Sequence, residues 1–314
     1  MNYIRKCPIP MAGLILSIFA LGNLLQTVHP TLKTVAGVIG GILYVLFLLK
    51  VAVGFGGVKE EMKKPPVASV FPTITMATML IATYVKPLSE AAAQFFWWAG
   101  LIGHVLLMVY FTYTFVRRFS VKTVFPSWYI VYVGIAVAGV TAPAVGRLGI
   151  GQLSFWFGLL TYAILLPVVL YRIYRVKGMP APTLPSLVIL AAPASLLLAA
   201  YMNAFPEKNP AMVWILLVFS LVFFMAGLFY LIKQVPGKFI PTMSGFTFPM
   251  AISGIATAAA AKYFGENGTP LSWLSLLAGA QKIIATAVIL YVLLRYLGLL
   301  FSDPKTGPAA QPSK

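Results

Sequence analysis

Three ionisable residues stand inside or at the ends of long apolar stretches, where a charge could act within a membrane. They are His104, Lys282 and Lys50. A buried ammonium group is costly and needs a partner, so Lys282 is a candidate anion ligand; alternatively, it donates hydrogen bonds to carbonyls of a neighbouring helix. His104 is a candidate pH sensor or a packed, hydrogen-bonded histidine. Lys50 ends its apolar stretch and is expected to extend its ammonium group to the surface.

The acidic and metal-ligating residues disfavour several classes of protein. All six carboxylates lie in turns or tails: Glu60, Glu61, Glu90, Glu207, Glu266 and Asp303. Cation pathways and proton relays place carboxylates at mid-membrane, so a cation channel or a carboxylate-based pump is disfavoured. The two histidines are far apart in sequence, Cys7 is the only cysteine, and no nucleophile–base motif occurs. The sequence therefore predicts no enzyme activity, no metal and no cofactor.

The composition indicates a membrane protein. Hydrophobic residues make up 60% of the 314 residues and charged residues only 9%, against about 25% charged residues in an average soluble domain. The net charge of +17 could suggest a nucleic-acid partner, but the basic residues lie in the turns between apolar segments. That distribution is typical of membrane topology, and no nucleic-acid partner is expected.

Regularly spaced prolines indicate an internal repeat. Pro10, Pro66, Pro126, Pro185 and Pro241 each begin an apolar stretch, at spacings of 56, 60, 59 and 56 residues. Each interval holds two membrane-length segments and a short turn, which predicts five helical hairpins. The ten predicted spans are 9–28, 34–53, 67–85, 92–116, 127–146, 151–171, 185–204, 210–232, 242–261 and 271–298, so the hairpins cover about 9–53, 67–116, 127–171, 185–232 and 242–298. We number these spans first to tenth.

The basic residues predict the orientation in the membrane. One side carries Arg5, Lys6, Lys50, Lys59, Lys63, Lys64, Arg117, Arg118, Lys122, Arg172, Arg175, Lys177, Lys233, Lys238, Arg295, Lys305 and Lys314, and the other carries Lys33, Lys86, Arg147, Lys208 and Lys262. This bias predicts a multi-pass protein of the plasma or inner membrane with both termini cytoplasmic. The transmembrane domain is expected to cover 1–301, followed by a disordered cytoplasmic tail, 302–314.

The odd and even spans differ in composition. Odd spans are richer in small and hydroxyl residues. Apart from the prolines at span starts, they hold Pro72, Pro143, Pro193 and Pro249, whereas only Pro167 lies within an even span. A proline inside a helix kinks it and frees a carbonyl, which at membrane depth needs protein or water beside it. We therefore expect an all-α polytopic protein whose odd spans surround a central pore, although ordinary packing kinks remain an alternative.

Four short motifs carry a family resemblance. The run Phe246-Thr247-Phe248-Pro249-Met250 resembles the ninth helix of the tellurite-resistance/dicarboxylate transporter family, which includes the bacterial tellurite-resistance protein and the plant slow-type anion channels. The supporting matches are Pro10-Met-Ala-Gly, Pro126-Ser-Trp and Ala191-Ala-Pro-Ala-Ser.

The resemblance implies both a fold and a gate. The implied fold is five hairpins around a pseudo-fivefold axis, odd helices inside, assembled as a homotrimer with one pore per subunit. A ninth-helix phenylalanine plugs the pore in the family; it maps best onto Phe248, with Phe246 as second choice. The alternative for Phe248 is a ring packed in the core.

Three functions follow as hypotheses. The first is a channel for small inorganic anions, solvated weakly by backbone dipoles and the hydroxyls of Thr75, Ser195, Thr247 and Ser253. The second is a carrier of dicarboxylate or tellurite-type oxyanions, with or without proton coupling, with Lys282 and His104 as its only candidate ligands. The third is a membrane scaffold or sensor that transports nothing.

Overall fold

The protein is an all-α membrane protein. The computed structural model describes residues 7–301, and within this range every regular element is a helix. Eight helical stretches of this range are long and apolar enough to cross a membrane. The predicted tail, 302–314, and the first six residues lie outside the described residues.

The five even spans are continuous α-helices. They run Pro30–Val53, Glu90–Phe111, Leu148–Tyr171, Pro210–Gln234 and Ser272–Phe301. Side chains cap the starts of three of them: His29, Ser89 and Asn209 accept hydrogen bonds from backbone N–H groups of the first turn. Such caps satisfy donors that have no partner within the helix. The fourth and sixth spans end in single π-helical turns, Thr112–Val116 and Arg172–Val176.

The odd spans are interrupted near their starts. The third span consists of two α-helices, Pro65–Val70 and Thr73–Val85. The fifth span consists of the short α-helix Trp128–Tyr132, a 3₁₀ turn at Gly134–Ala136, and the α-helix Val137–Val145. The seventh and ninth begin as 3₁₀ helices, Ala181–Ala191 and Pro241–Phe246, and continue as α-helices, Ala192–Ala204 and Thr247–Glu266. The first span is the α-helix Met11–Leu25, preceded by a turn at Pro8–Pro10.

This pattern corrects the expected role of three prolines. Pro72 immediately precedes the helix Thr73–Val85, and Pro193 and Pro249 lie in the first turn of their α-helices. Proline in a first turn costs no hydrogen bond, because the N–H it lacks would have no helical partner there. These prolines therefore start new α-helices, and only Pro143, of the four predicted, lies inside one.

Two of the ten predicted spans are shorter than expected. Met11–Leu25 has 15 residues, which at about 1.5 Å per residue falls short of a hydrocarbon core of roughly 30 Å. In the fifth span the longest apolar stretch is Gly134–Val145. The connection between the first two hairpins also holds a short helix, Phe55–Glu61, which hydrophobicity alone did not predict.

The odd spans form a closed ring. The first contacts the third, the third the fifth, the fifth the seventh, the seventh the ninth, and the ninth returns to the first. Each even span packs against its own odd partner and against the next odd span, so the even spans make an outer layer.

Burial follows the same division between the two layers. Between 72% and 83% of the most apolar window is buried in the third, seventh and ninth spans, against 17% to 33% in the even spans. The even spans therefore present their bulky side chains to the lipid, as their composition predicted.

Glycines on even spans allow the two layers to approach closely. A Cβ at Gly100 of the fourth span would lie 2.8 Å from the Thr75 carbonyl oxygen and 2.8 Å from the Met79 nitrogen. At Gly227 of the eighth span, a Cβ would lie 2.9 Å from the Val188 carbonyl oxygen. Small residues of this kind are typical of packed membrane helices.

We predict that Gly100→Ala destabilises the protein. The added methyl group would push the fourth span off the backbone of the third, and overpacking of this kind costs about 1–3 kcal/mol. Gly279→Ala in the tenth span is the matched control, since a Cβ there meets nothing within 4 Å. Thermal unfolding in detergent should give a lower Tm for Gly100→Ala alone; equal Tm values for the two variants would refute the close contact.

Candidate functional site

Two cavities lie along the axis of the ring of odd spans. The first opens on the side where the odd spans begin, which carries most of the lysines and arginines; we call this side the basic face. All five odd spans contribute to this basic-face cavity, for example through Pro10, Thr73, Gly134, Pro193 and Phe248. The wall residues found for this cavity include no charged side chain.

The second cavity opens on the opposite face of the ring. All five odd spans again contribute, here through Ala20, Thr83, Pro143, Asn203 and Ile255. This opposite-face cavity is the more polar of the two, because its wall also contains Asn23, Gln26, Thr141 and, from the second span, Lys33.

Phe248 and Leu196 belong to the walls of both cavities. Their side chains are almost fully buried, with relative exposures of 8% and 3%. The two cavities therefore approach each other at a single level, and these two apolar side chains separate them.

The internal repeat explains why Phe248 stands out at this level. It follows its spacing proline, Pro241, by seven residues, and the residues at the same offset in three other hairpins are Thr73, Val133 and Ala192. All four line the basic-face cavity. Only the ninth span places an aromatic ring at this position.

Phe246 occupies a different environment from Phe248. It ends the 3₁₀ helix Pro241–Phe246, is fully buried, and contributes to neither cavity wall. Residues two apart on a helix point to nearly opposite sides, which accounts for the difference. The sequence kept both phenylalanines as candidates, and the geometry favours Phe248.

The four predicted pore hydroxyls belong to neither cavity wall. Thr75, Ser195, Thr247 and Ser253 instead make hydrogen bonds between and within helices. Thr247 lies 2.5 Å from the hydroxyl of Ser17, and Ser195 lies 2.8 Å and 3.0 Å from the hydroxyls of Ser220 and Ser253. These positions differ from the expectation that the hydroxyls face the axis.

The hydroxyls donate to carbonyls beside the helix breaks. Thr75 donates to the Pro72 carbonyl oxygen at 2.7 Å, Thr247 to that of Ser244 at 2.6 Å, and Ser195 to that of Ala191 at 2.8 Å. The carbonyls of Pro72 and Ser244 also accept backbone N–H groups. The hydroxyls therefore add side-chain hydrogen bonds beside the interruptions of the odd spans.

His104 plays a similar role for the fifth span. Its Nε2 lies 3.2 Å from the carbonyl oxygen of Val131, just before the 3₁₀ turn, and its Nδ1 lies 2.9 Å from the Thr75 hydroxyl. The side chain is fully buried and belongs to neither cavity wall. Of the two interpretations left open by the sequence, this geometry favours the packed, hydrogen-bonded histidine.

Lys282 also lies away from both cavities. Its Nζ donates to the Thr27 hydroxyl at 3.0 Å, in the turn that follows the first span. The long side chain thus carries its charge from the tenth span toward the opposite face, as lysines near helix ends do. The geometry favours a structural role over a ligand at mid-membrane.

Of the predicted prolines, Pro193 and Pro249 line the basic-face cavity and Pro143 lines the other, whereas Pro72 lines neither. Most wall residues were not predicted as site residues, among them Leu196 and Lys33. Leu196 carries no chemical signal in an apolar span. Lys33 was counted only for topology, because it lies just outside the predicted second span; in the structure it lies in the first turn of the helix Pro30–Val53.

The described residues contain no group of three or more His, Cys, Asp or Glu side chains that could hold a metal ion. Neither cavity wall includes a carboxylate. Among the described residues, Lys33 is the one charged side chain in the walls of these two cavities.

Comparison with known protein families identifies the family of this chain. A family model described as voltage-dependent anion channel (SLAC1) matches residues 7–297. A search of curated proteins finds no match.

We predict that Thr75→Val destabilises the protein but leaves transport by the folded protein unchanged. The substitution removes the Thr75 hydroxyl from His104 Nδ1, whereas the Pro72 carbonyl keeps two backbone N–H donors. Loss of a partner of a buried polar group costs about 1–3 kcal/mol. Thr161→Val is the control, because the Thr161 hydroxyl donates only to carbonyls of its own even helix. Tm and anion flux per folded protein should be measured together. A changed anion selectivity at normal Tm would mean that Thr75 faces the passage.

Proposed function

The chain belongs to the voltage-dependent anion channel family, and we propose that it is an anion-selective channel gated by Phe248. Members of this family are anion channels or transporters. In the proposed mechanism, small inorganic anions move along the axis of the ring between the two cavities, and the Phe248 ring closes the passage.

The observation that carries the proposal is the position of Phe248 between the two cavities. Every odd span contributes to both walls, so the cavities share one axis, and Phe248 with Leu196 separates them. An apolar constriction blocks ions by excluding the water that solvates them. Displacement or removal of the phenyl ring would join the two cavities.

The walls of the basic-face cavity favour rapid passage over tight binding. Their hydroxyls include Thr73, Thr183, Ser186 and Thr242, and each donates its hydrogen to a backbone carbonyl. A hydroxyl engaged in this way offers an anion no donor. An anion that passes the constriction would thus meet few groups that could hold it, as conduction requires.

The contacts of Lys282 and His104 weaken the carrier alternative. A carrier of dicarboxylate or tellurite-type oxyanions needs a defined binding site, and these two residues were its only candidates in the sequence. Lys282 is engaged by Thr27, and both His104 nitrogens have partners away from the cavities. Flux that saturates with substrate and responds to a pH gradient would still favour a carrier, and absence of flux would favour a scaffold or sensor.

The basic face is proposed to be cytoplasmic. Among the described residues it carries 13 lysines and arginines against five on the opposite face, counted from the chain positions, and cytoplasmic ends of spans are enriched in these residues. The family resemblance further suggests a homotrimer in the plasma or inner membrane; native mass spectrometry in detergent tests the subunit number.

We predict that Phe248→Ala raises anion flux. Removal of the phenyl ring opens the constriction, and a barrier lowered by about 1.4 kcal/mol increases the rate about tenfold. The measurement is chloride or nitrate flux into proteoliposomes, normalised to folded protein. Phe246→Ala is the matched control, because Phe246 is buried but lines neither cavity.

The two variants separate a gate from a packing residue. Phe246→Ala should lower the Tm and leave flux per folded protein unchanged, whereas Phe248→Ala should increase flux. Equal flux in wild type and Phe248→Ala, with both folded, would refute the proposed gate.

We predict that Leu196→Ala also raises anion flux, by less than Phe248→Ala. Leu196 borders both cavities, but its side chain is smaller than the phenyl ring. Leu197→Ala is the control, since Leu197 is equally buried and lines neither cavity. The measurement is single-channel conductance in planar bilayers. Wild type should have the lowest conductance and the Phe248→Ala/Leu196→Ala double variant the highest. If the double variant conducts no better than Phe248→Ala, Leu196 is not part of the gate.

A further inference from the structure

The opposite-face cavity differs from the basic-face cavity in its chemistry. It combines one cation, Lys33, with three amide side chains, Asn23, Gln26 and Asn203. Its wall includes no carboxylate, so nothing in the wall neutralises the ammonium group. The same five odd spans build both cavities, so this difference in polarity between the two cavities requires an explanation.

Lys33 has no carboxylate partner. None of the ion pairs among the described residues includes it, whereas two other lysines of the opposite face are paired: Lys86 with Glu90 at 3.0 Å and Lys262 with Glu266 at 3.7 Å. The Lys33 Nζ donates to the amide oxygen of Gln26 at 3.1 Å, which is a neutral partner. Its charge is therefore uncompensated at the mouth of the passage.

A fixed aromatic ring holds Lys33 in position. The Nζ lies 5.2 Å from the centre of the Tyr84 ring, within the range of a cation–π interaction. The Tyr84 hydroxyl donates to the Phe19 carbonyl oxygen at 2.5 Å, and a Cβ at Gly37 would lie 2.7 Å from the ring. The ring is thus held by the first and second spans.

Hydrogen bonds of Gln26 and Asn23 form a chain that extends from Lys33 into the wall. Gln26, whose side-chain oxygen accepts from Lys33, donates through Nε2 to the backbone carbonyl oxygen of Asn23 at 3.0 Å. Asn23 in turn donates through Nδ2 to the Thr83 hydroxyl at 3.1 Å. Each amide NH₂ has a second hydrogen and the ammonium group has three, so the chain retains unused donors.

From these contacts we infer that the opposite-face cavity holds a binding site for one monovalent inorganic anion of the chloride or nitrate class, centred on the Lys33 ammonium group. The site captures the anion and concentrates it before it passes Phe248. This inference rests on the proposed channel function for its purpose, but the binding site can be detected without conduction.

The first experiment measures current in the Phe248→Ala background, in planar bilayers of neutral lipid. Lys33→Gln should reduce the current by roughly threefold, the local concentration factor that one unit charge produces at about 6 Å in water. The loss should occur at one voltage polarity only, because it affects anions that enter from the opposite face. Lys33→Arg, which keeps the charge, should restore the current.

Salt dependence and a matched control separate a local site from general surface charge. The effect of Lys33→Gln should be large at about 0.01 M potassium chloride and small at about 1 M, as the Debye length falls from roughly 30 Å to about 3 Å. Lys262→Gln removes a charge from the same face outside both cavities and should leave the current unchanged. Equal currents in Lys33→Gln and Lys262→Gln would overturn the inference while leaving the channel function in place.

The second experiment measures binding alone. Nitrate titrated into purified protein in detergent should raise the Tm of wild type and Lys262→Gln, because a ligand that binds the folded state stabilises it. Lys33→Gln should lose this rise. If no variant conducts, the proposed function fails, and the titration still decides the inference: a nitrate-dependent rise that persists in Lys33→Gln, or is absent from wild type, refutes the Lys33 site.

Discussion

Satisfaction of backbone carbonyls at helix breaks is the constraint on which the rest of this structure depends. Hydrocarbon offers no hydrogen bonds, so interrupted helices are tolerated only where protein or water covers them. Four of the five odd spans are interrupted near the basic face, and side chains add hydrogen bonds to carbonyls beside these breaks: Thr75 to Pro72, His104 to Val131 and Thr247 to Ser244. The continuous even helices need no such cover and form the layer toward lipid.

That constraint divides the polar groups of the core into two sets. Hydroxyls and the buried imidazole serve the helix breaks and the contacts between spans, as in the bond between Ser17 and Thr247. The side chains left to line the axis near the basic face are mostly apolar or already engaged. In the proposed mechanism, a passage built in this way binds ions weakly, and the aromatic side chain of Phe248 closes it without any charge.

The proline spacing in the sequence predicted the hairpins, and the difference in composition between odd and even spans predicted the two layers. It did not predict where the hydroxyls point, since the same enrichment follows from a polar pore and from broken helices. Thr75 and Ser195 were expected at the axis for that reason and lie between helices instead. Leu196 was not predicted because an apolar residue in an apolar span has no chemical signal. Lys33 was not predicted because its position beside the cavity depends on how the odd spans close into a ring.

The arrangement of the repeats bears on how the passage can work. The five hairpins follow one another around the ring in the same orientation, each odd span starting at the basic face. Many carriers are instead built from inverted repeats, whose exchange of conformations alternately exposes one site to each side. The ring described here has equally oriented hairpins, and its two cavities differ in chemistry, with Lys33 on one side and no charge in the wall of the other. The proposed gating, movement of one side chain between two fixed cavities, requires no exchange of repeats.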